Sequence, residues 1–190
     1  MRPRFLLFAF LCAVVCARTA YAQDRGGFTF LATIGYGLQS NGEIRVGDYS
    51  GDVRYYGGGT YSSWAGLNFG IGGFVSRNTA LMLRLSGTGF TAKYLDQNRI
   101  EDETDVVSGV AVLDVQHWIT DRVNLEGGVG YGIYSTDVQD AIGLGLLLGA
   151  AYSFFQSGKI SLQVGIEDAL FCGHNQTVNN LGFCFGLQLL

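Results

Sequence analysis

The chain has 190 residues and a formal net charge of −4, with glycine at 29 positions and a single proline, Pro3. Glycine is about twice its average usage of roughly 7%, whereas charged residues make up only 15% and aromatic residues 13%. High glycine without proline excludes collagen and Pro/Gly-rich disorder, and low charge with many aromatic residues excludes a coiled coil or a basic nucleic-acid-binding tail.

The N-terminal residues have the features of an export signal. Arg2 and Arg4 precede an apolar run over residues 5–17, and the motif Ala-Tyr-Ala at 20–22 places small residues at the two positions that signal peptidase recognises. The run is too short for a membrane-spanning helix, which needs about 20 apolar residues. The pattern predicts a cleaved signal peptide over residues 1–22 and a mature domain over residues 23–190.

The predicted mature domain contains no proline, and its nine basic and sixteen acidic residues give a formal net charge of −7. This negative balance argues against nucleic acid as a partner. Two cysteines remain, Cys172 and Cys184, and an even pair in an exported protein is compatible with one disulfide. In a plain hairpin centred near Asn175, Cys184 faces about Glu167, so a bridge requires the last loop to fold inward. Both a disulfide and two free thiols remain open.

Period-two alternation of apolar residues with small or polar residues predicts strands rather than helices. Leu81, Leu83 and Leu85, for example, alternate with Arg84 and Ser86. The same pattern recurs eight times, over residues 27–38, 62–76, 79–91, 105–118, 122–134, 141–154, 159–170 and 179–190. The connections after the second, fourth and sixth strands are tight, whereas those after the first and third, residues 39–61 and 92–104, are long and polar.

Short turns on one rim and long loops on the other are typical of bacterial outer-membrane barrels. Strands exposed to hydrocarbon must close on themselves, the absence of proline preserves every ladder donor, and glycine on the inner face suits a narrow lumen. The alternative is a soluble barrel or sandwich whose apolar face lines a core, but nearly all charges lie in loops or on the glycine-rich face. The sequence therefore predicts an all-β fold: one eight-stranded antiparallel, up-and-down transmembrane β-barrel.

The export signal, the eight alternating strands and the last strand, residues 181–190 (LGFCFGLQLL), resemble the small outer-membrane barrel superfamily of the OmpA transmembrane domain, OmpX and OmpW. This resemblance covers the whole predicted mature domain. It implies a location in the outer membrane of a Gram-negative envelope, contact with outer-membrane lipids, and recognition of the last strand by the outer-membrane assembly machinery. The chain departs from the superfamily by ending on Leu190, where an aromatic residue is typical. Such a resemblance concerns architecture and compartment rather than activity.

Four charged residues fall on the inward-facing parity: Arg84, Asp114, Glu126 and Glu167. Counted from the short-turn rim, Arg84, Asp114 and Glu126 lie at similar heights on three consecutive predicted strands. An isolated arginine in a narrow lumen is costly, and neighbouring carboxylates would neutralise it. The pattern predicts an ion-pair cluster that closes the lumen. The alternative is a gate or narrow ion path in which the pairs rearrange.

Other candidate chemistry is sparse. His117 falls on the outward parity beside Trp118, and His174 lies in the last loop with no serine arranged as a nucleophile near either. The His-x-Ser pattern of lipid A deacylase barrels is absent, and Cys172 with His174 falls short of a zinc ligand set. We therefore expect no enzymatic activity, no metal site and no cofactor. Trp118 and Phe155 fall on the inward parity, where they would fill the mouth at the short turns.

These observations predict a monomeric, non-enzymatic outer-membrane protein with a structural role or a surface-interaction role. Its long first loop and its acidic second loop, residues 96–105, would be the contact surfaces. One alternative is a narrow, porin-like channel for small or apolar solutes. A third hypothesis is a lipid-modifying outer-membrane enzyme.

Overall fold

The computed structural model describes residues 25–41, 44–47, 53–56, 59–95, 101–136, 140–174 and 177–190. The predicted signal peptide lies outside the described residues, so its cleavage stays a prediction. Within the described ranges, no helix has the length and apolar character needed to cross a membrane.

The described residues form ten β-strands. In chain order they are β1 (Phe28–Asn41), β2 (Ile44–Gly47), β3 (Val53–Tyr56), β4 (Gly59–Ser76), β5 (Thr79–Leu95), β6 (Glu101–Trp118), β7 (Val123–Thr136), β8 (Asp140–Ser157), β9 (Ile160–Cys172) and β10 (Thr177–Leu189). Strands β1 and β4–β10 each pair antiparallel with the next of these eight strands, and β10 pairs back with β1. The predicted eight-stranded, up-and-down closed barrel is therefore confirmed.

Strand ends at the short-turn rim agree with the sequence pattern to within one residue, except on β8. There the pairing passes directly from Ser153–Gln163 to Phe155–Leu162, so that Phe154 is an extra, bulged residue. A bulge exchanges the inward and outward parities beyond it. Phe155 is consequently on the outside, 50% exposed, and its predicted inward orientation is wrong.

Strands β5 and β6 form a long, uninterrupted ladder that extends past the end of β9. These strands pair as far as Leu95 and Glu101, and the hairpin β2–β3, which the sequence pattern did not predict, joins β5 through the pair Tyr55–Leu95. We call this extension, formed by β2, β3 and the ends of β5 and β6, the ledge. The 17 residues of β5 against the 13 of β9 make the wall about 10 Å taller on this side, at about 3.3 Å per residue and a tilt of about 40°.

The outer face carries an apolar belt. Its exposed side chains include Ile34, Leu83, Leu113, Val129, Leu148, Phe183 and Phe185. Polar pairs on the outer face bound the belt: Thr79–His117 and Arg122–Tyr152 near the short turns, and Thr91–Asp105 and Ser135–Asp140 near the long loops. The 12 positions from Thr79 to Thr91 correspond to a height of about 30 Å, close to the apolar band of a membrane barrel.

Candidate functional site

The lumen is closed at the short-turn rim by an apolar plug. The plug consists of buried side chains: Leu31, Ala80, Met82, Trp118 and Leu190. The Phe74 ring packs 5.3 Å from that of Trp118, which is only 2% exposed. Arg25 lies across the plug, with its guanidinium 4.8 Å from the centre of the Trp118 ring and one N–H donating to the Asp121 carbonyl at 2.6 Å. The segment before β1 therefore helps to close this end of the barrel.

Beside the apolar plug, amide side chains form a hydrogen-bonded layer across the lumen. Gln188 donates to Gln116 at 2.6 Å, Gln116 donates to Asn124 at 3.2 Å, and Asn124 donates to Gln163 at 3.4 Å. These four side chains come from β10, β6, β7 and β9 and are almost completely buried. Hydrogen bonding to one another compensates for their loss of water.

The charged layer lies next, at mid-height, and Arg84 is its centre. The Arg84 side chain is 0% exposed, and its two terminal nitrogens contact one carboxylate oxygen each of Glu126 and Glu167, both at 2.6 Å. Ser86 and Asn68 also donate hydrogen bonds to Glu167. The arginine reaches across the barrel, because β9, which carries Glu167, lies four strands away from β5 on either side of the ring.

The structure places Asp114 nearer the short turns than Arg84, although the sequence predicts similar heights for the two residues. It lies on β6, next to the strand of Arg84, and is 0% exposed. Arg84 pairs with Val112, which places Asp114 two residues closer to the short turns. Asp114 forms no direct ion pair with Arg84, although the two side chains attract each other electrostatically. The two contacts of Arg84 thus go to Glu126 and Glu167, and the layer contains more carboxylates than cations.

Each charged residue of this layer lies directly opposite a glycine. The pairs are Arg84–Gly70, Asp114–Gly128, Glu126–Gly149 and Glu167–Gly182. A β-carbon on Gly149 would lie 2.5 Å from Glu126 Oε1, and one on Gly70 would overlap Arg84 Cδ. Gly70 and Gly149 are therefore parts of the site that sequence reasoning missed. Only the strand register identifies them.

Two small cavities border the charged layer. Glu167 and Cys184 line both of them, and each has a volume of about 10 Å³, roughly the space for one water molecule. Nearer the long loops, Thr88 donates to Gln39 at 3.0 Å and Asn180 donates to Ser108 at 2.8 Å. The Tyr134 and Phe171 rings stack above them with centroids 6.0 Å apart. Side chains therefore fill the described lumen in successive layers.

The disulfide considered from the sequence is not formed, because Cys172 and Cys184 are both free thiols. Cys172 lies opposite Thr177, whereas Cys184 lies opposite Gly165, seven positions further along the hairpin. Seven residues of strand correspond to about 23 Å, whereas a disulfide needs Cα atoms within about 7 Å. The regular pairing of β9 with β10 therefore keeps the two thiols far apart.

The two histidines lie apart from the charged layer. His117 is exposed on the outer face, where its Nδ1 lies 3.0 Å from the Thr79 hydroxyl, and His174 is exposed beside the last loop. Within the described part of the chain, no three His, Cys, Asp or Glu side chains are arranged to hold a metal ion.

No protein-family model matches the chain, and no curated protein matches it significantly. Among solved structures, it is similar to Ail, the attachment invasion locus protein of Yersinia pestis, in complex with the heparin analogue sucrose octasulfate. The TM-score is 0.55 at 13% identity, over 87% of this chain and 99% of that one. The outer membrane protein OprG from Pseudomonas aeruginosa has a TM-score of 0.54 at 11% identity, over 90% and 98% of the two chains. At these identities the likeness shows the fold, that of a small outer-membrane β-barrel.

Proposed function

We propose that this protein is an integral outer-membrane protein of a Gram-negative envelope, without enzymatic activity, that stabilises the envelope or presents its long loops outside. The observation that carries this proposal is the combination of an apolar outer face with a filled lumen. Water-soluble barrels place their apolar residues inside, whereas this barrel has Arg84 and its carboxylate partners inside and leucine, valine and phenylalanine outside. That inversion suits hydrocarbon around the wall.

The filled lumen favours a structural or surface role over a channel. The apolar plug, the amide layer and the charged layer each cross the barrel, and the cavities beside the charged layer have room for about one water molecule each. Passage of a solute would require both ion pairs of Arg84 to separate in a buried environment, which is costly.

The ledge and the acidic second loop are the proposed contact surfaces. The ledge extends the paired strands β5 and β6 beyond the shorter strand β9. Asp96 lies in the connection between β5 and β6, and the acidic residues Glu101, Asp102, Glu103 and Asp105 follow at the start of β6. The sulfated ligand in the Ail structure is not carried over, because a polyanion would meet negative charge at this loop. A cationic or neutral partner is the better electrostatic fit.

We further propose that the assembly machinery recognises β10. Its outward residues from Leu181 to Leu189 are apolar and exposed, whereas the terminal Leu190 points inward and belongs to the apolar plug. The outward apolar series of β10 therefore ends at Leu189.

Planar-bilayer recording of the refolded mature protein tests the proposal. We expect heat-modifiable migration on a gel, which shows that the barrel has folded, together with no discrete conductance steps. A known porin inserted under the same conditions provides the positive control. Reproducible openings would overturn the structural assignment in favour of the channel, and failure to enter lipid at all would overturn the membrane location.

A further inference from the structure

The outer wall has a groove between β5, β6 and β7. Its volume is about 230 Å³. The residues that shape it are Leu85, Gly87, Val107, Gly109, Tyr131 and Ile133. Leu85, Val107, Tyr131 and Ile133 are each more than half exposed and form its sides. The groove is thus an apolar cleft on the outside of the barrel, separate from the charged layer in the lumen.

Two glycines form the floor of the groove. Gly87 and Gly109 lie directly opposite each other in the β5–β6 ladder, on the outward-facing parity. A β-carbon on Gly87 would meet nothing closer than the Ser108 carbonyl at 3.6 Å, so a side chain there would project into the groove without overlap. The close approach of an outside group to the backbone therefore depends on the absence of side chains at these two positions.

The groove lies in the half of the apolar belt nearer the long loops. Leu85 and Gly89 are 6 and 10 positions from Thr79, which places this stretch about 15–25 Å above the lower polar pairs. Its upper end approaches the exposed pair Thr91–Asp105, at which the belt ends. An apolar occupant would therefore meet polar groups only at that end, as a lipid chain does at its headgroup.

We infer that this groove binds one acyl chain of a lipid in the outer leaflet. A chain on a convex wall touches protein on one side, whereas a chain in the groove touches the floor and both sides and gains dispersion contacts. The groove is continuous with the apolar belt, and its walls offer no cluster of polar partners for ordered water. The inference rests on the proposed outer-membrane location.

Photocrosslinking tests this inference. The mature protein is refolded into dioleoyl phosphatidylcholine vesicles that contain a small fraction of phosphatidylcholine with a diazirine on one acyl chain, irradiated, and mapped by peptide mass spectrometry. We expect adducts on Val107 and Ile133 to exceed those on Leu83 and Leu113, equally exposed residues of the same belt, several-fold. Gly87→Leu fills the groove and should abolish this excess.

Gly127→Leu is the matched control, because a β-carbon at this outward-facing glycine meets nothing closer than Leu148 Cδ2 at 3.5 Å. It should retain the excess. If Gly87→Leu does not show heat-modifiable migration, Ala111→Leu fills the lower end of the groove instead. Uniform lipid crosslinking along the whole apolar belt, or protein–protein adducts at the groove, would overturn the inference while leaving the membrane location intact. Absence of labelling from the whole belt would overturn the location itself.

Discussion

Removal of the Arg84 charge is the most direct perturbation of the charged layer. Arg84 is completely buried, and its two ion pairs hold Glu126 and Glu167, whose side chains are only 7% and 6% exposed. Arg84→Met keeps much of the side-chain volume and removes the charge. Both carboxylates then face each other, and Asp114, without a cation in the layer. We expect a large loss of stability, because a buried charge without a partner costs more than the pair contributes.

The magnitude follows from the burial of the partners. Removal of one member of a buried ion pair typically costs about 3–5 kcal/mol. Here one guanidinium serves two carboxylates, but the two costs do not add fully, since the residues contact one another. We therefore expect the free energy of unfolding of Arg84→Met to fall by about 3–5 kcal/mol. The shorter Arg84→Ala should lose at least as much and should also increase ion leak through the lumen, because it leaves a cavity.

Urea unfolding in lipid vesicles, followed by the loss of the fast-migrating folded form on a gel, measures this difference. The control is a triple variant, Arg84→Met with Glu126→Gln and Glu167→Gln, which leaves neutral side chains of similar volume. It should recover most of the loss, because charge imbalance and not packing causes the effect. The reasoning is refuted if the free energy of unfolding of Arg84→Met stays within about 0.5 kcal/mol of the parent protein, the usual range for surface substitutions. It is also refuted if the triple variant is as unstable as Arg84→Met.

Three further outcomes are expected. Gly149→Ala should lower the free energy of unfolding by about 1–3 kcal/mol, because its β-carbon would lie 2.5 Å from Glu126 Oε1. Gly182→Ala is the control. Its β-carbon would meet nothing nearer than 3.8 Å, so it should change the free energy of unfolding by less than about 0.5 kcal/mol. Equal effects in urea unfolding would contradict this account. Trp118→Ala should cost about 3–5 kcal/mol by the same assay, because it removes the largest buried side chain of the apolar plug; a loss below about 1 kcal/mol would show that the plug contributes little. A reducing agent should leave the unfolding midpoint unchanged, because Cys172 and Cys184 are free; a shift on reduction would indicate a disulfide.

Alternation alone was sufficient to predict the barrel and the facing of most of its residues. Trp118 lies inside and Tyr131 outside, as parity requires, because the hydrophobic pattern specifies which face of a strand meets which solvent. Tight turns also located one rim of the barrel. The turn Arg77-Asn78 lies where the sequence pattern placed it.

Parity does not specify which residues meet across the lumen. The predicted cluster contains Arg84, Asp114, Glu126 and Glu167, with the first three at similar heights on consecutive strands. The pattern does not indicate that Arg84 pairs with Glu126 and, across the ring, with Glu167. That contact depends on the stagger of strands that are not neighbours, which no local pattern encodes. The hairpin β2–β3 was missed for a different reason: strands of four residues are too short for alternation to distinguish them from a polar loop.

The charged side chains of the lumen need glycines opposite them, and two bulges bring such glycines into position. Regular pairing from the turn pair Ser76–Thr79 would place Ile71 opposite Arg84, and regular pairing from Ser157–Ile160 would place Ala150 opposite Glu167. The register shift between Phe74 and Ser76 brings Gly70 opposite Arg84, and the shift in β8 brings Gly149 opposite Glu167.

Directly opposed side chains have Cβ atoms only about 5 Å apart, and the lumen of an eight-stranded barrel is just wide enough for side chains to fill it. A long charged side chain that must cross this lumen is therefore best accommodated where the residue opposite it on at least one neighbouring strand has no side chain. The same bulge in β8 turns Phe155 outward while Phe154 stays outside, so that both rings lie on the outer face. One irregularity thus provides space for a lumen carboxylate and places two aromatic rings on the outer wall near the short turns, which explains why the error at Phe155 and the missed Gly149 have the same origin.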